Sequence, residues 1–220
     1  MLAALAMTTG CQNKPAETAD STNAATDSVV AESPLDNAVV RAIMDRRSVR
    51  KYKPEPVPKE MLDVILHCGI NAPNAMNEQR WEVRVTNSKA FIDGVTKVFI
   101  ESAENDERVQ KLVKNPDFHN MFRNAPTVIF VAGKADEKSS PIDCGLLGEN
   151  IMLAAQSMGL GTCCLGSAAG FLNSNPGAAN YLKQLAFSDG YELLYAIAIG
   201  YPDESPEAKP RDASKIRYIE

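Results

Sequence analysis

The apolar positions of this chain switch repeatedly between a helical period and short unbroken or alternating runs. Leu35, Ala38, Val39, Ala42 and Ile43 recur at the spacing of one helical face, and Asp45–Arg46 leads out of it, which predicts a first helix over 35–44. Pro58 at a first helical position, followed by MLDVILHCG with Gly69 as a stop, predicts a second. Trp81, Val83 and Val85 then alternate with Glu82, Arg84 and Thr86, the pattern of a half-buried strand, and Ser88 can cap a helix reaching to about 104. Residues 106–124 are polar and carry no readable period. After Pro126 the run TVIFVAG is apolar at every position, as a strand covered on both faces would be.

The longest helical signal is PIDCGLLGENIMLAAQSMGLG, from Pro141. Its polar residues, Asp143, Asn150 and Ser157 with Glu149 and Gln156, recur seven apart, a narrow polar stripe on an otherwise apolar helix. TCCLGS follows as a strand, FLNSNPGAANYLKQLAF as an interrupted helix, and YELLYAIAIGYP as a last strand before a charged tail. Helices alternating with strands predict an α+β sandwich, a central, mostly antiparallel sheet flanked by helices.

Composition divides the chain. With 220 residues, 45% hydrophobic and 23% charged, it has the size of one domain with one core. From Gln12 to Pro34, however, no aromatic, Leu, Ile or Met occurs, so this stretch reads as a disordered tether and the folded unit as 35–220. Ahead of it, MLAALAMTTGC resembles a bacterial lipoprotein signal, with Cys11 as the lipidated residue and residues 1–11 as a truncated leader. Thr8 stands where such signals usually carry Leu, and no basic residue precedes the apolar run; a start codon called too late would account for that. The alternative is an ordinary tail with a chance cysteine. The expected location is the membrane of a bacterial envelope through a lipid anchor, or the cytoplasm if the signal reading is wrong. The net charge of −5 argues against a nucleic-acid partner.

Protein-based catalysis has little to draw on. Cys68, Cys144, Cys163 and Cys164 lack the CxxC or CxxH spacing of a metal site, so no metal is expected, and Cys163 and Cys164 read as small core residues of a strand. Two histidines and no GxSxG leave no nucleophilic triad. What stands out is cationic: RRSVRKYK, from Arg46 to Lys53, sets Arg46, Arg47 and Arg50 around Ser48, and KPR at 209–211 follows the last strand. Guanidinium forks and a hydroxyl suit a phosphate, and two separated clusters can converge on one dianion, although a solvated basic turn has the same composition.

Four segments in register, RRSVRKYKPEPVP, NAPNAMNEQRWEV, ENIMLAAQSMGLGTCCLGS and AIAIGYPDE followed by KPR, resemble the nitroreductase family of FMN-dependent oxidoreductases across the whole of 35–220. The resemblance implies that Arg46, Arg47 and Ser48 hold the FMN phosphate and ribityl end, with Lys209 and Arg211 completing the phosphate site. It places Arg50 at flavin N1 and the C2 carbonyl. Pro73, Asn74, Ala75, Met76 and Asn77 correspond to a loop lying along the flavin across a homodimer interface, with Asn77 the favoured hydrogen-bonding residue. Leu165, Gly166 and Ser167 fall where the family's backbone donates to flavin N5, and glycine there lets the backbone come close to the ring. Gln79 and Trp81 match the family's loop; Arg80 in place of Pro, Val83 in place of an aromatic residue and Cys164 in place of Trp depart from it. The implied activity is ping-pong hydride transfer from NAD(P)H through flavin N5 to an electron-poor acceptor such as a nitroaromatic or quinone, with no catalytic side chain. The alternative is a flavin- or small-ligand-binding lipoprotein without NAD(P)H turnover.

Overall fold

The structure, a computed structural model, describes residues 37–219; Cys11 and the tether expected over 12–34 lie outside the described residues. In chain order the elements are α1 (Ala38–Asp45), α2 (Lys59–Ile70), β1 (Trp81–Thr86), α3 (Lys89–Ser102), α4 (Glu107–Val113), β2 (Thr127–Lys134), α5 (Ser140–Ser157), β3 (Gly161–Leu165), α6 (Gly166–Ser174), α7 (Ala179–Gln184) and β4 (Tyr191–Gly200). The strands form one antiparallel sheet of order β1-β2-β4-β3, so the uniformly apolar β2 is central and buried from Thr127 to Gly133.

Alternation along the strands divides the core in two. Val128, Phe130, Ala196 and Ala198 face α3 and α6, while Ile129, Val131, Ile197 and Ile199 face α2 and α5. Between Val131 and Ala132 the register slips by one residue on β4, a bulge that turns both Leu194 and Tyr195 toward the α2–α5 side. The Tyr195 ring lies against Gly148, where any Cβ would collide with it, and its hydroxyl donates to the Cys144 carbonyl. That contact seats α5 flat on the sheet.

Several boundaries moved, each for a local reason. α1 starts at Ala38 because the Asn37 side chain accepts from the N–H groups of Val39 and Val40, and Pro58 is the cap of α2 rather than its first residue. The stretch 106–124 contains α4, capped by the Asp106 carboxylate, followed by an irregular loop. The strand expected over 162–167 ends at Leu165, and Gly166 and Ser167 open α6 instead. Cys163 is buried at 4% exposure but Cys164 is exposed, which corrects the placement of both in the core: β3 is an edge strand, and Cys164 lies at the open margin of the face that α5 covers, near Arg46 and Glu149.

The polar stripe of α5 is also turned differently from a solvent-facing stripe. Asp143 is buried, Asn150 donates to the Cys68 carbonyl and Glu149 approaches Arg46, while apolar Ile142 and Leu146 stay exposed. The apolar face of α1 is likewise uncovered, with Val39 at 66% and Ile43 at 51% exposure.

Candidate functional site

The basic segment after α1 is fixed to the sheet. Ser48 bridges Thr162 of β3 in parallel register, with the Val49 N–H donating to the Thr162 carbonyl at 2.9 Å, and Tyr52 bridges Pro202 just beyond β4. The buried Tyr52 hydroxyl donates to the Val49 carbonyl at 2.6 Å and reaches the Ala198 carbonyl at 3.3 Å. Burial holds that phenol well above its ordinary pKa, with the nearby Cys163 and Glu204 adding to the rise and Arg50 and Arg123 opposing it, so it stays protonated and keeps donating.

Anchored from behind by Val49 and Tyr52, the segment presents its cations outward. Arg46 is half-buried, 3.7 Å from Glu149 of α5. Arg47 donates to the carbonyls of Met44 and Arg46, which curls it over the end of α1. The Arg50 guanidinium donates to the Ser48 carbonyl at 3.0 Å and its backbone N–H to a Glu204 carboxylate oxygen. Three guanidinium groups and a hydroxyl within five residues are a donor set for an anion of more than one charge.

Farther along β3, Leu165 is buried while Gly166 and Ser167 are exposed. Nothing lies within 4 Å of the position a Cβ would take on Gly166, so flat contact with this backbone is sterically open. The N–H groups at the start of α6 have no carbonyl one turn back, which leaves donors at the edge of the sheet.

The loop 73–79 is built around left-handed backbone. Met76, Asn77 and Gln79 have φ of 54°, 54° and 49°, a conformation that costs Met and Gln more than Asn. Two polar anchors hold it. The Asn74 carbonyl oxygen of the side chain accepts from the Gln79 N–H at 2.9 Å, and the buried Asp143 carboxylate accepts from the Ala75 N–H at 3.2 Å. Arg80, the departure from the family pattern, pairs with Glu78 and, at 2.7 Å, with Glu137, tying the loop's exit to the turn before α5. The result is Met76 displayed at 89% exposure, with Pro73 and Asn77 also exposed.

The structure therefore brings Arg46, Arg47, Ser48 and Arg50 together beside β3, the strand that ends in Leu165, Gly166 and Ser167. Among the described residues, Pro73–Asn77, Lys209 and Arg211 make no hydrogen bond or ion pair with that cluster. Pro73–Asn77 sit at the N-terminal end of α5, and Lys209 and Arg211 lie exposed in the tail, where Arg211 donates to the Lys209 carbonyl. The tail meets the first cluster through Glu204, which accepts from the Arg50 N–H, and through the Asp203 N–H, which donates to the Lys51 carbonyl. Sequence reading missed the roles of Glu204, although PDE follows just beyond the last strand, and of Asp143, read only as part of the polar stripe of α5. It also missed the loop 115–125, whose Asn120 and Asn124 side chains each accept from two backbone N–H groups.

Residues 43–201 match the Nitroreductase family. The chain is 28% identical over 186 residues to the NADPH-flavin oxidoreductase of Vibrio harveyi, covering 80% of this chain and 70% of that one. A nitroreductase with bound FMN from Desulfitobacterium hafniense superposes with a TM-score of 0.75 at 26% identity, over 84% of this chain and 100% of its own. One from Bacteroides fragilis, also with bound FMN, gives 0.73 at 25% identity, over the same shares.

Proposed function

This chain belongs to the nitroreductase family and is an oxidoreductase with FMN and NAD(P)H as cofactors, and from that premise we propose that it passes reducing equivalents from NAD(P)H to an electron-poor acceptor such as a nitroaromatic or a quinone. The observation that carries the reading is the pinning of Ser48 against Thr162, which sets the arginine cluster and the open backbone at Gly166 along one strand. Arg46, Arg47 and Ser48 would hold the FMN phosphate, joined by Lys209 and Arg211 of the tail, because a dianion requires several cations to offset its desolvation. Leu165, Gly166 and Ser167 would take the ring with backbone N–H groups. Arg50 supplies a fixed positive charge favouring the negative charge that reduction adds.

The chemistry supplied by bound FMN is hydride acceptance from the nicotinamide and, in a separate half-reaction, donation to the acceptor, so the protein contributes orientation and electrostatics rather than an acid–base pair. The loop Pro73, Asn74, Ala75, Met76 and Asn77 would serve the site of a second copy. Exposed apolar Val39, Ile43 and Met44 of α1 and Ile142 and Leu146 of α5, two helices in contact, support a homodimer, since large apolar side chains left exposed on neighbouring helices suit an interface. The purified protein should be yellow, bleach on anaerobic addition of NADH or NADPH and recover with menadione. A protein that binds FMN stoichiometrically yet never bleaches would overturn turnover and favour the binding-only alternative. Anchoring to a bacterial envelope through lipidated Cys11 is part of the proposal; Cys11-independent labelling by a fatty-acid probe would refute it.

A further inference from the structure

Arg50 belongs to two neighbourhoods: the cofactor segment, and a cleft of about 140 Å³ that it lines together with Lys51, Asp117, Phe118 and Arg123. This cleft shares Phe118, Asn120 and Asn124 with a larger one of about 690 Å³ that continues past Tyr52, Pro54 and His119. A cavity of roughly 150 Å³ accepts a benzene-sized ring, so the smaller cleft has room for one aromatic ring and opens into the larger one.

The charge of the small cleft is positive within an acidic protein. Of its cations, Lys51 is 3.8 Å from Asp117 and Arg50 donates to the Ser48 carbonyl, its N–H being taken by Glu204. Arg123 is exposed and has no ion pair among the described residues. Its placement is over-determined. Arg123 and Asn124 both have left-handed backbone, φ 61° and 64°, which arginine rarely adopts. The turn is held by Asn120, which accepts from the N–H groups of Phe122 and Asn124, and by Asn124, which accepts from those of His119 and Asn120 and donates to the Asp117 carbonyl. Strain kept in place by dedicated hydrogen bonds is characteristic of ligand clamps.

We propose that Arg123 is a specificity-determining residue that selects a single-ring aromatic acceptor bearing a carboxylate, the ring lying in the cleft against Phe118 and the carboxylate paired with the Arg123 guanidinium. The proposal rests on the oxidoreductase reading above. For a nitro acceptor, one turnover consumes one NAD(P)H and one proton, converts the nitro group to nitroso and releases one water, the carboxylate remaining unchanged.

The test compares 4-nitrobenzoate with the neutral 4-nitrobenzamide as acceptors for the FMN-loaded protein, in wild type, Arg123→Asn, Arg123→Lys and, as a control on α3, Lys97→Gln. Asn removes the charge while tolerating the left-handed backbone, so the turn is retained. The ratio of kcat/KM for acid over amide should fall by about fivefold in Arg123→Asn, through KM, the scale of one exposed ion pair. Lys should restore part of it, Lys97→Gln should leave it unchanged, and salt should compress the wild-type ratio toward that of the variant. An equal ratio in wild type and Arg123→Asn, with both acceptors turned over, overturns this proposal alone. Turnover of neither acceptor by flavin-loaded wild type overturns the oxidoreductase reading and this proposal with it.

Discussion

Tyr52→Phe removes one buried oxygen from the support of the cofactor segment and keeps the ring that lines the larger cleft. The lost hydroxyl donates to the Val49 carbonyl at 2.6 Å, and Tyr52 is only 8% exposed, so no water replaces it without repacking. Leaving a buried carbonyl unsatisfied costs about 1–3 kcal/mol, more than the net value of an ordinary hydrogen bond. The Ala198 carbonyl, 3.3 Å away, also has the strand ladder, and its loss adds little. Stability of the apo protein, measured by urea unfolding at fixed protein concentration, should therefore drop by about 1–3 kcal/mol, or roughly 2–4 °C of Tm per kcal/mol for a chain of this size. Because Val49 lies between Ser48 and Arg50, the same change should weaken FMN binding beyond the stability loss, read as flavin fluorescence quenching well below the unfolding transition. A Phe variant with unchanged FMN affinity would refute the idea that the hydroxyl positions the segment, whatever its stability.

Three further outcomes are expected. Arg50→Ala should make the two-electron potential of bound FMN about 20 mV more negative, the equivalent of about 1 kcal/mol for a solvent-exposed charge, and an unchanged potential in a dye-equilibration assay would remove Arg50 from that role. Asp143→Ala deprives the Ala75 N–H of its acceptor and should loosen the 73–79 loop, seen as faster protease cleavage there and weaker FMN binding, with Asp143→Asn retaining most of both. Burial pushes the Cys144 thiol up to about 11, with the Ser140 hydrogen bond opposing and the Asp143 charge adding. Its folded pKa is thus raised above the unfolded one, so the unfolded chain loses the proton first and stability should decline from about pH 9 to 11; Cys144→Ala should flatten that decline in denaturation midpoints.

Family resemblance carried the candidate site because its donors sit close together in sequence. Arg46, Arg47, Ser48 and Arg50 span five residues, and a compact segment remains a cluster however it is packed. The same holds for Leu165, Gly166 and Ser167. Pro73–Asn77 and Lys209 with Arg211 are joined to the first cluster by nothing local, and periodicity contains no information on which distant segments meet.

By itself the sequence determined the alternation of helices and strands, the central place of the wholly apolar β2, and the start of α3 capped by Ser88, because these depend on side-chain spacing and hydrogen bonds within a few residues. Only the tertiary structure decided the rest. It turned Asp143 inward onto a loop 68 positions away, left Cys164 exposed on an edge strand, placed Ser48 beside Thr162 and held Arg123 over a cleft with two asparagines. Each of these depends on which element lies next to which, and an apolar or polar stripe has the same period whether it meets the core, a second chain or a ligand.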